Sequence, residues 1–342
     1  MYLLDQKRKD QEVRDARYNY AIASYIANEL ELDEPIMRFY INQPAVIIGK
    51  HQNAFAEVDL NYLEKHHIQL VRRSSGGGSV YHDQGTLIYG FVGKDDYSSY
   101  QDFSRFTQPI VQALQRLGVK NAKFGGRNDL LIDDKKFSGT SMLVSGGKVV
   151  VGGTLLLDAD YETLANVLTP SKKKLAAKGI KSVESRVTAL RPYLAKEHQE
   201  ITIEAFRELL IKELFAVDRL EEIKIYTFSD KQWQRIDEIV EEKFGNWDWN
   251  FGRSRQLNYQ RDHRFSFGTV EFQLAIDRGK ICECQIFGDF FASGNLEEIE
   301  TALLGVSLKK DDLLTVFRSF DLTRYFGEVT AEELVEVILS EM

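Results

Sequence analysis

Cysteine is almost missing from this sequence. Only Cys282 and Cys284 occur among 342 residues. They are two apart on an expected strand, so they should share a face, and no disulfide framework is called for. No apolar run approaches the roughly 20 residues that a membrane-spanning helix needs. The opening stretch from Met1 to Asp10 lacks the apolar core of a secretory leader. A cytoplasmic location, away from any membrane, is therefore expected. Positive charge is not in excess. The 44 Lys and Arg are outnumbered by 52 Asp and Glu, and the net charge of −8 gives no footing for nucleic-acid binding. There is no Gly-x-x-x-x-Gly-Lys-Ser/Thr loop of the Walker A kind. His82 has no second His or Cys at metal-ligand spacing, so no metal site built from a protein cluster is expected. Internal repeats and low-complexity tracts are absent as well.

What is present is enough apolar material for a sizeable core. Hydrophobic residues make up 43% of the chain, and its length suits two domains. A helix is expected from Asp10 to Leu30. Met37–Ile41 and Ala45–Ile48 read as strands on either side of Pro44. Phe106–Leu117 carries Ile110, Val111, Leu114 and Leu117 on one helical face, and Gly118 is a fitting stop. Glu204–Phe215 is a further helix with Phe206, Leu209, Leu210 and Leu214 on its apolar side. Ser229 and Gln232 have capping-box spacing and open a helix through Phe244, with Trp233, Ile236, Ile239 and Val240 inward.

The domain boundary is placed at 1–245 and 246–342. Beyond it, Val270, Phe272, Leu274 and Ile276 alternate as in a half-buried strand. Asp277–Lys280 is a turn, and Cys282, Cys284 and Ile286 are expected to continue one apolar face of the return strand. Thr330 and Glu333 cap a last helix with Leu334, Val335, Ile338 and Leu339 inward. The fold class is α+β: a large N-terminal domain of mixed sheets with flanking helices, and a small α+β C-terminal domain.

Two constellations carry chemistry. The first is Arg72-Arg73-Ser74-Ser75-Gly76-Gly77-Gly78-Ser79-Val80-Tyr81-His82-Asp83. A glycine run lets several N–H groups turn toward one anion, and the arginines add charge and bidentate donors. An isolated Gly triplet is more often a surface turn. Here Ile68, Leu70 and Val71 precede the loop and Val80, Leu87, Ile88, Tyr89 and Phe91 follow it, which reads as strand, loop, strand. The second is Gly125-Gly126-Arg127-Asn128-Asp129, then Leu130–Ile132, a turn at Asp133-Asp134, and Lys136-Phe137-Ser138-Gly139. That is a hairpin with Asn128, Asp129 and Lys136 at one mouth. A lysine fixed there can neutralise a phosphate or carboxylate, although most lysines beside turns simply face solvent.

Together these segments resemble the lipoate–protein ligase A family, whose hallmarks are an Arg-Arg-x-Ser-Gly-Gly-Gly-x-Val-x-His-Asp loop and a later Gly-Arg-Asn-Asp-Leu with Lys-x-Ser-Gly. Pro44–Gly49 with His51-Gln52-Asn53, Gly153–Leu156, Lys172–Val187 and Trp247–Gly252 also match, so the resemblance covers most of the chain. It implies a biotin/lipoate-ligase-like N-terminal domain and an accessory C-terminal one. It also implies ATP-dependent activation of lipoate to lipoyl-AMP, then transfer to a lysine of a lipoyl carrier protein. That carrier would be a dehydrogenase acyltransferase lipoyl domain or a glycine-cleavage H-type protein.

By the same resemblance Lys136 is the central catalytic cation. Arg73, Gly78, Ser79, Val80, Tyr81, Asn128, Asp129 and Lys136 would hold ATP or the adenylate. Arg73, Gly76, Gly77, His82 and Lys136 would contact lipoate. His82 either serves the site or is a structural histidine paired with Asp83. A Mg²⁺ ion would arrive with ATP, held by phosphate oxygens and few protein groups, with Asp129 a candidate among them. Val46, Ile48 and Val71 are candidates for an apolar slot or are ordinary core. Lys172, Lys173, Lys174, Lys178 and Gly179 would form an adenylate lid that attracts an acidic carrier, unless they are a plain solvated surface.

Three departures stand out. Gly152 replaces a family His, Gln84-Gly85-Thr86 replaces a familiar Gly-Asn, and an acidic pair is missing near Asn19–Ser24. They raise the alternative of a catalytically impaired lipoate or adenylate binder. Cysteine-based acyl transferases of the same superfamily are excluded because no cysteine precedes Cys282. Biotin ligase is disfavoured because its Gly-Arg-Gly-Arg loop is absent.

Overall fold

A computed structural model describes residues 1–96, 102–168, 186–252 and 257–340. The chain forms two compact units. The first comprises Met1–Ile47, Ala56–Val71 and Val80–Asn246; the second comprises Ile48–Phe55, Arg72–Ser79 and Trp247–Met342. The second unit thus gathers two short N-terminal segments, one of them the glycine loop, with the C-terminal residues.

In the first unit an eight-stranded mixed sheet runs in the order Ile225–Tyr226, Tyr2–Leu4, Ile36–Ile41, Thr86–Lys94, Lys148–Leu156, Lys135–Ser145, Asp129–Ile132, Lys123–Phe124. Its first two pairings are parallel and the others antiparallel. Ile36–Ile41 is buried throughout, as a central strand covered on both faces should be. Its one charge, Arg38, donates to the Asn19 carbonyl at 2.9 Å and to Asn19 Oδ1 at 2.8 Å, and its guanidinium lies 4.3 Å from the Tyr40 ring centre. A second sheet places Ala45–Ile48 between Gln69–Arg72 and Val80–His82.

The helices of this unit lie close to expectation. Phe103–Arg116 packs Ile110 and Leu114 against Phe39, Leu87, Leu130 and Phe137 in one apolar cluster that also takes Phe206 and Leu210 from Ile203–Phe215. Gly118 follows with φ +108°, a left-handed stop that suits glycine. The Ser229/Gln232 capping box is present. The helix it opens is α-helical only over Asp230–Ile239 and widens to a π-turn at Val240–Phe244. The first helix starts later than expected, at Ala16, capped by Asp15. Lys7–Arg8 and Gln11–Glu12 pair as a small hairpin instead, because Lys9 and Asp10 both turn left-handed.

The second unit holds an antiparallel sheet, Tyr259–Phe265, Gly268–Asp277 and Lys280–Gly288, with helices Leu296–Ala302, Lys310–Phe317 and Ala331–Leu339. Val270, Phe272, Leu274, Ile286, Phe317 and Leu334 build its core. Two side chains differ from the sequence reading. Ala275 pairs with Glu283 but Ile276 pairs with Ile281, so Cys282 is the extra residue of a bulge. The bulge turns Cys282 outward, while Cys284 is buried and its thiol is pushed well above the usual range by burial. The two cysteines therefore do not share a face. Leu339, at the last turn of its helix, is exposed, whereas Leu334, Val335 and Ile338 are inward.

Candidate functional site

In the first unit the lysine hairpin is built around a two-residue turn. Asp133 and Asp134 adopt φ of +47° and +63°, the left-handed pair that closes a tight hairpin and fixes Ile132 opposite Lys135. Leu131 then faces Lys136, and Asp129 faces Gly139. Leu130 and Ile132 point into the core, so Asp129, Leu131 and Lys136 lie on the other face. Lys136 Nζ stands 2.8 Å from Asp129 Oδ1, and both side chains are 37% exposed. The Lys136 backbone is held as well: its N–H donates to the Arg186 carbonyl at 2.7 Å, and its carbonyl accepts from the Thr188 N–H at 2.9 Å. Asn128 closes the mouth, with Nδ2 donating to the Thr140 carbonyl at 2.7 Å and its own carbonyl accepting from the Thr140 N–H at 2.8 Å.

From Thr86–Lys94, one strand beyond the neighbour of this hairpin, the Tyr89 hydroxyl reaches Thr140 Oγ1 at 3.0 Å. Burial pushes that phenol up to about 12, so it keeps its proton at neutral pH. A Cβ at Gly152 would meet only ordinary contacts, the Tyr89 carbonyl at 3.7 Å and Ser141 Oγ at 4.0 Å. The backbone therefore does not dictate glycine at that departure.

The glycine loop belongs to the second unit, and its two arginines do different work. Arg72 is buried. Its Nε donates to the Trp249 carbonyl at 2.9 Å, Nη2 to the Asn250 carbonyl at 2.9 Å, and Nη1 to the carbonyls of Gly49 and Lys50, each at 3.1 Å. The expectation that both arginines supply anion charge is corrected for Arg72: main-chain carbonyls engage its guanidinium. Arg73 bends over the loop itself, with Nη2 at 2.7 Å from the Gly76 carbonyl and 2.8 Å from the Gly78 carbonyl, and Nε at 3.1 Å from Ser75 Oγ. The Gly77 N–H donates to the Phe290 carbonyl at 3.1 Å. Gly76 packs so closely that a Cβ there would lie 2.1 Å from the same carbonyl oxygen. Gln52, assigned no role from sequence, accepts from the Gly49 N–H at 2.8 Å and from Ser79 Oγ at 3.0 Å. Its place in a short polar run before the loop was the available signal.

Val80, Tyr81 and His82 return to the first unit as the third strand of the small sheet. Burial, with the Asp83 carboxylate next, pushes the Tyr81 phenol up to about 12. The partner seen for His82 is Asn42 rather than Asp83. Asn42 Nδ2 lies 2.9 Å from His82 Nδ1, and Asn19 Nδ2 donates to Asn42 Oδ1 at 2.8 Å. Asp83 accepts instead from the Thr86 hydroxyl at 2.8 Å and the Gly85 N–H at 3.0 Å. Val46, Ile48 and Val71 are fully buried, as core side chains are. Lys172, Lys173, Lys174, Lys178 and Gly179 lie outside the described residues. Asn128, Asp129 and Lys136 are thus brought together on one hairpin, while Arg73, Gly76, Gly77, Gly78 and Ser79 are gathered in the second unit.

Residues 15–215 match the model of the lipoyl protein ligase A/B catalytic domain, and residues 254–338 match that of the bacterial lipoate protein ligase C-terminus. A lipoate–protein ligase of Streptococcus pyogenes is 42% identical over 340 residues, covering 99% of this chain and 100% of its own length. Among solved structures, a bipartite lipoate protein ligase from Thermoplasma acidophilum, described with its E2 lipoyl domain, aligns with a TM-score of 0.61 at 29% identity, over 75% of this chain and 98% of that one. A lipoate-protein ligase A bound with ATP aligns with a TM-score of 0.58 at 27% identity, over 70% and 94%.

Proposed function

The chain belongs to the lipoyl protein ligase family, and from that premise we propose how its residues divide the work of an ATP-dependent lipoate–protein ligase. The reaction has two halves. A lipoate carboxylate oxygen attacks the α-phosphorus of ATP, the bond to the bridging oxygen breaks, and pyrophosphate leaves lipoyl-adenylate behind. The ε-amine of a carrier lysine then attacks the carbonyl carbon of that mixed anhydride. The bond to AMP breaks, the amine gives up a proton, and an amide remains. The similarities support this active ligase, not the impaired binder.

Both halves gather negative charge around the α-phosphate, so positioned cations and N–H donors do most of the catalysis. The observation that carries the residue assignment is the half-exposed Lys136 ammonium, fixed on a hairpin 2.8 Å from Asp129. In this reading Lys136 neutralises the α-phosphate and the lipoyl carbonyl oxygen as charge develops there. Asn128 and Asp129 border the nucleotide. Arg73 with Gly78, Ser79, Val80 and Tyr81 receives its phosphates, and the protonated Tyr81 phenol can donate. Gly76, Gly77 and His82 border the lipoyl group. Among the described residues no three His, Cys, Asp or Glu are grouped to hold a metal ion. We propose that a Mg²⁺ arriving on ATP would be held by phosphate oxygens with Asp129 as a protein carboxylate, and would lower the phosphate charge.

The acceptor is proposed to be a lipoyl domain, in line with the E2 lipoyl domain of the archaeal system. The lysines around Lys172 are proposed to attract its acidic face, and the cytoplasm is the proposed setting. Mass spectrometry after incubation with ATP, lipoate and either an acyltransferase lipoyl domain or a glycine-cleavage H-type protein tests the reading. One lipoyl group should appear on one lysine of the lipoyl domain. No acylation of either carrier would reject it.

A further inference from the structure

The sequence alone does not explain how Lys136 comes to face Asp129. Along the hairpin Asp129 pairs with Gly139 and Leu130 with Ser138, but Leu131 pairs with Lys136 and Ile132 with Lys135. Phe137 is therefore an extra residue, and the strand bulges at that point. In a regular ladder Leu131 would face Phe137 and Ile132 would face Lys136. Lys136 would then share the core face with Leu130 and Ile132, both fully buried. The bulge reverses this outcome. Phe137 and Ser138, consecutive in sequence, are both fully buried, and Lys136 is moved to the open face with Asp129.

Gly139 completes the arrangement. A Cβ there would lie 2.9 Å from Lys136 Nζ and 3.1 Å from its Cε, and among the described residues no other non-neighbouring heavy atom comes within 4 Å. Its φ is outside the left-handed region, so the backbone itself does not require glycine. The missing side chain leaves space for one thing, the lysine's ammonium end.

We propose that Gly139 and the Phe137 bulge are positioning elements for the ligation: the bulge selects the face on which Lys136 emerges, and the bare Cα of Gly139 lets its ammonium fold back beside Asp129. The inference rests on the reading of Lys136 as the central cation. Neither element touches substrate; both act through Lys136.

The test uses the full chain, lipoate-dependent exchange of labelled pyrophosphate into ATP, and thermal melting. Gly139→Ala should lower the exchange kcat at least about tenfold, as expected of an ångström-scale misplacement, with KM for ATP and lipoate unchanged within about threefold. A merely structural glycine would change the melting midpoint without that split. In a Lys136→Ala background the substitution should lose its effect on the melting midpoint, because the atoms it strikes are gone. Two results would overturn the proposal: an unchanged kcat in Gly139→Ala while Lys136→Ala is inactive, or an equal loss of stability from Gly139→Ala with and without the lysine. If Lys136→Ala keeps full exchange, the catalytic reading itself fails, a result distinct from either.

Discussion

The Tyr89 hydroxyl fills the space where a side chain on Gly153 would begin: a Cβ there would sit 2.3 Å from the phenolic oxygen. The two residues pair across neighbouring strands, and the same hydroxyl meets Thr140. Gly153→Ala must push a buried ring off its partner, and overpacking of this kind costs about 1–3 kcal/mol. Gly152→Ala, one residue earlier, meets only ordinary contacts and should stay within about 0.5 kcal/mol of the parent. Urea denaturation of both variants checks the contrast, and equal losses would contradict it.

Arg72 supports a second prediction. Its guanidinium satisfies carbonyls at Gly49, Lys50, Trp249 and Asn250, while its backbone N–H donates to Asn250 Oδ1 at 2.7 Å. Arg72→Ala removes a buried charge together with the partner of several buried acceptors, and a loss of about 3–5 kcal/mol is expected. A phosphate-binding arginine would behave otherwise, leaving stability intact and raising the KM for ATP. Denaturation and exchange kinetics on one preparation separate these outcomes.

Arg72 also marks the limit of what the sequence could tell. Adjacent arginines before a glycine run look alike in one dimension. Arg73 meets carbonyls of its own loop, whereas those that engage Arg72 include Trp249 and Asn250, far along the chain. Hairpins and helices that rest on local signals were legible: the Asp133-Asp134 turn, the Ser229 and Thr330 capping boxes, and the alternation from Val270 to Leu274. Single-residue insertions were not. Phe137 and Cys282 are each the extra residue of a bulge, and alternation carried through them assigns the wrong face. That is why Cys282 was expected beside Cys284. Asn42 as the partner of His82 was equally hidden, because a neighbouring Asp83 is the nearer choice in sequence and Asn42 lies on another part of the chain.

The Arg8–Asp237 pair supports a pH prediction. Nη1 and Nη2 reach the two carboxylate oxygens at 2.7 and 2.8 Å, and the Tyr18 hydroxyl donates to Oδ1 at 3.0 Å. The Arg8 hydrogen bonds first, helped by the Tyr18 hydroxyl, hold the Asp237 carboxyl below its usual range against the opposing pull of burial. A depressed carboxylate pKa contributes stability that is present above the unfolded value, about 3.9, and lost as pH falls through the folded one. The pair is a third exposed, so screening keeps its worth to about 1 kcal/mol. Asp237→Asn should melt earlier than the parent at pH 7, with the gap closing below about pH 4. A gap that persists at pH 2 would contradict the assignment.

The lysine run gives a salt-dependent prediction. Replacing Lys172, Lys173 and Lys174 with glutamine should raise the KM for an acidic carrier at low ionic strength. Near 0.5 M salt the difference should shrink, because roughly one nanometre of screening falls to a few ångströms. Equal KM values for parent and variant at low salt would remove the lysines from carrier recognition.

The most direct measurement is carrier-free exchange of labelled pyrophosphate into ATP, with and without lipoate, for the parent chain and for Lys136→Ala. The parent should exchange label only when lipoate is present, and Lys136→Ala should fall by at least about a hundredfold, the scale of losing one positioned charge-stabilising group. Undiminished lipoate-dependent exchange without that ammonium would contradict the account at its centre.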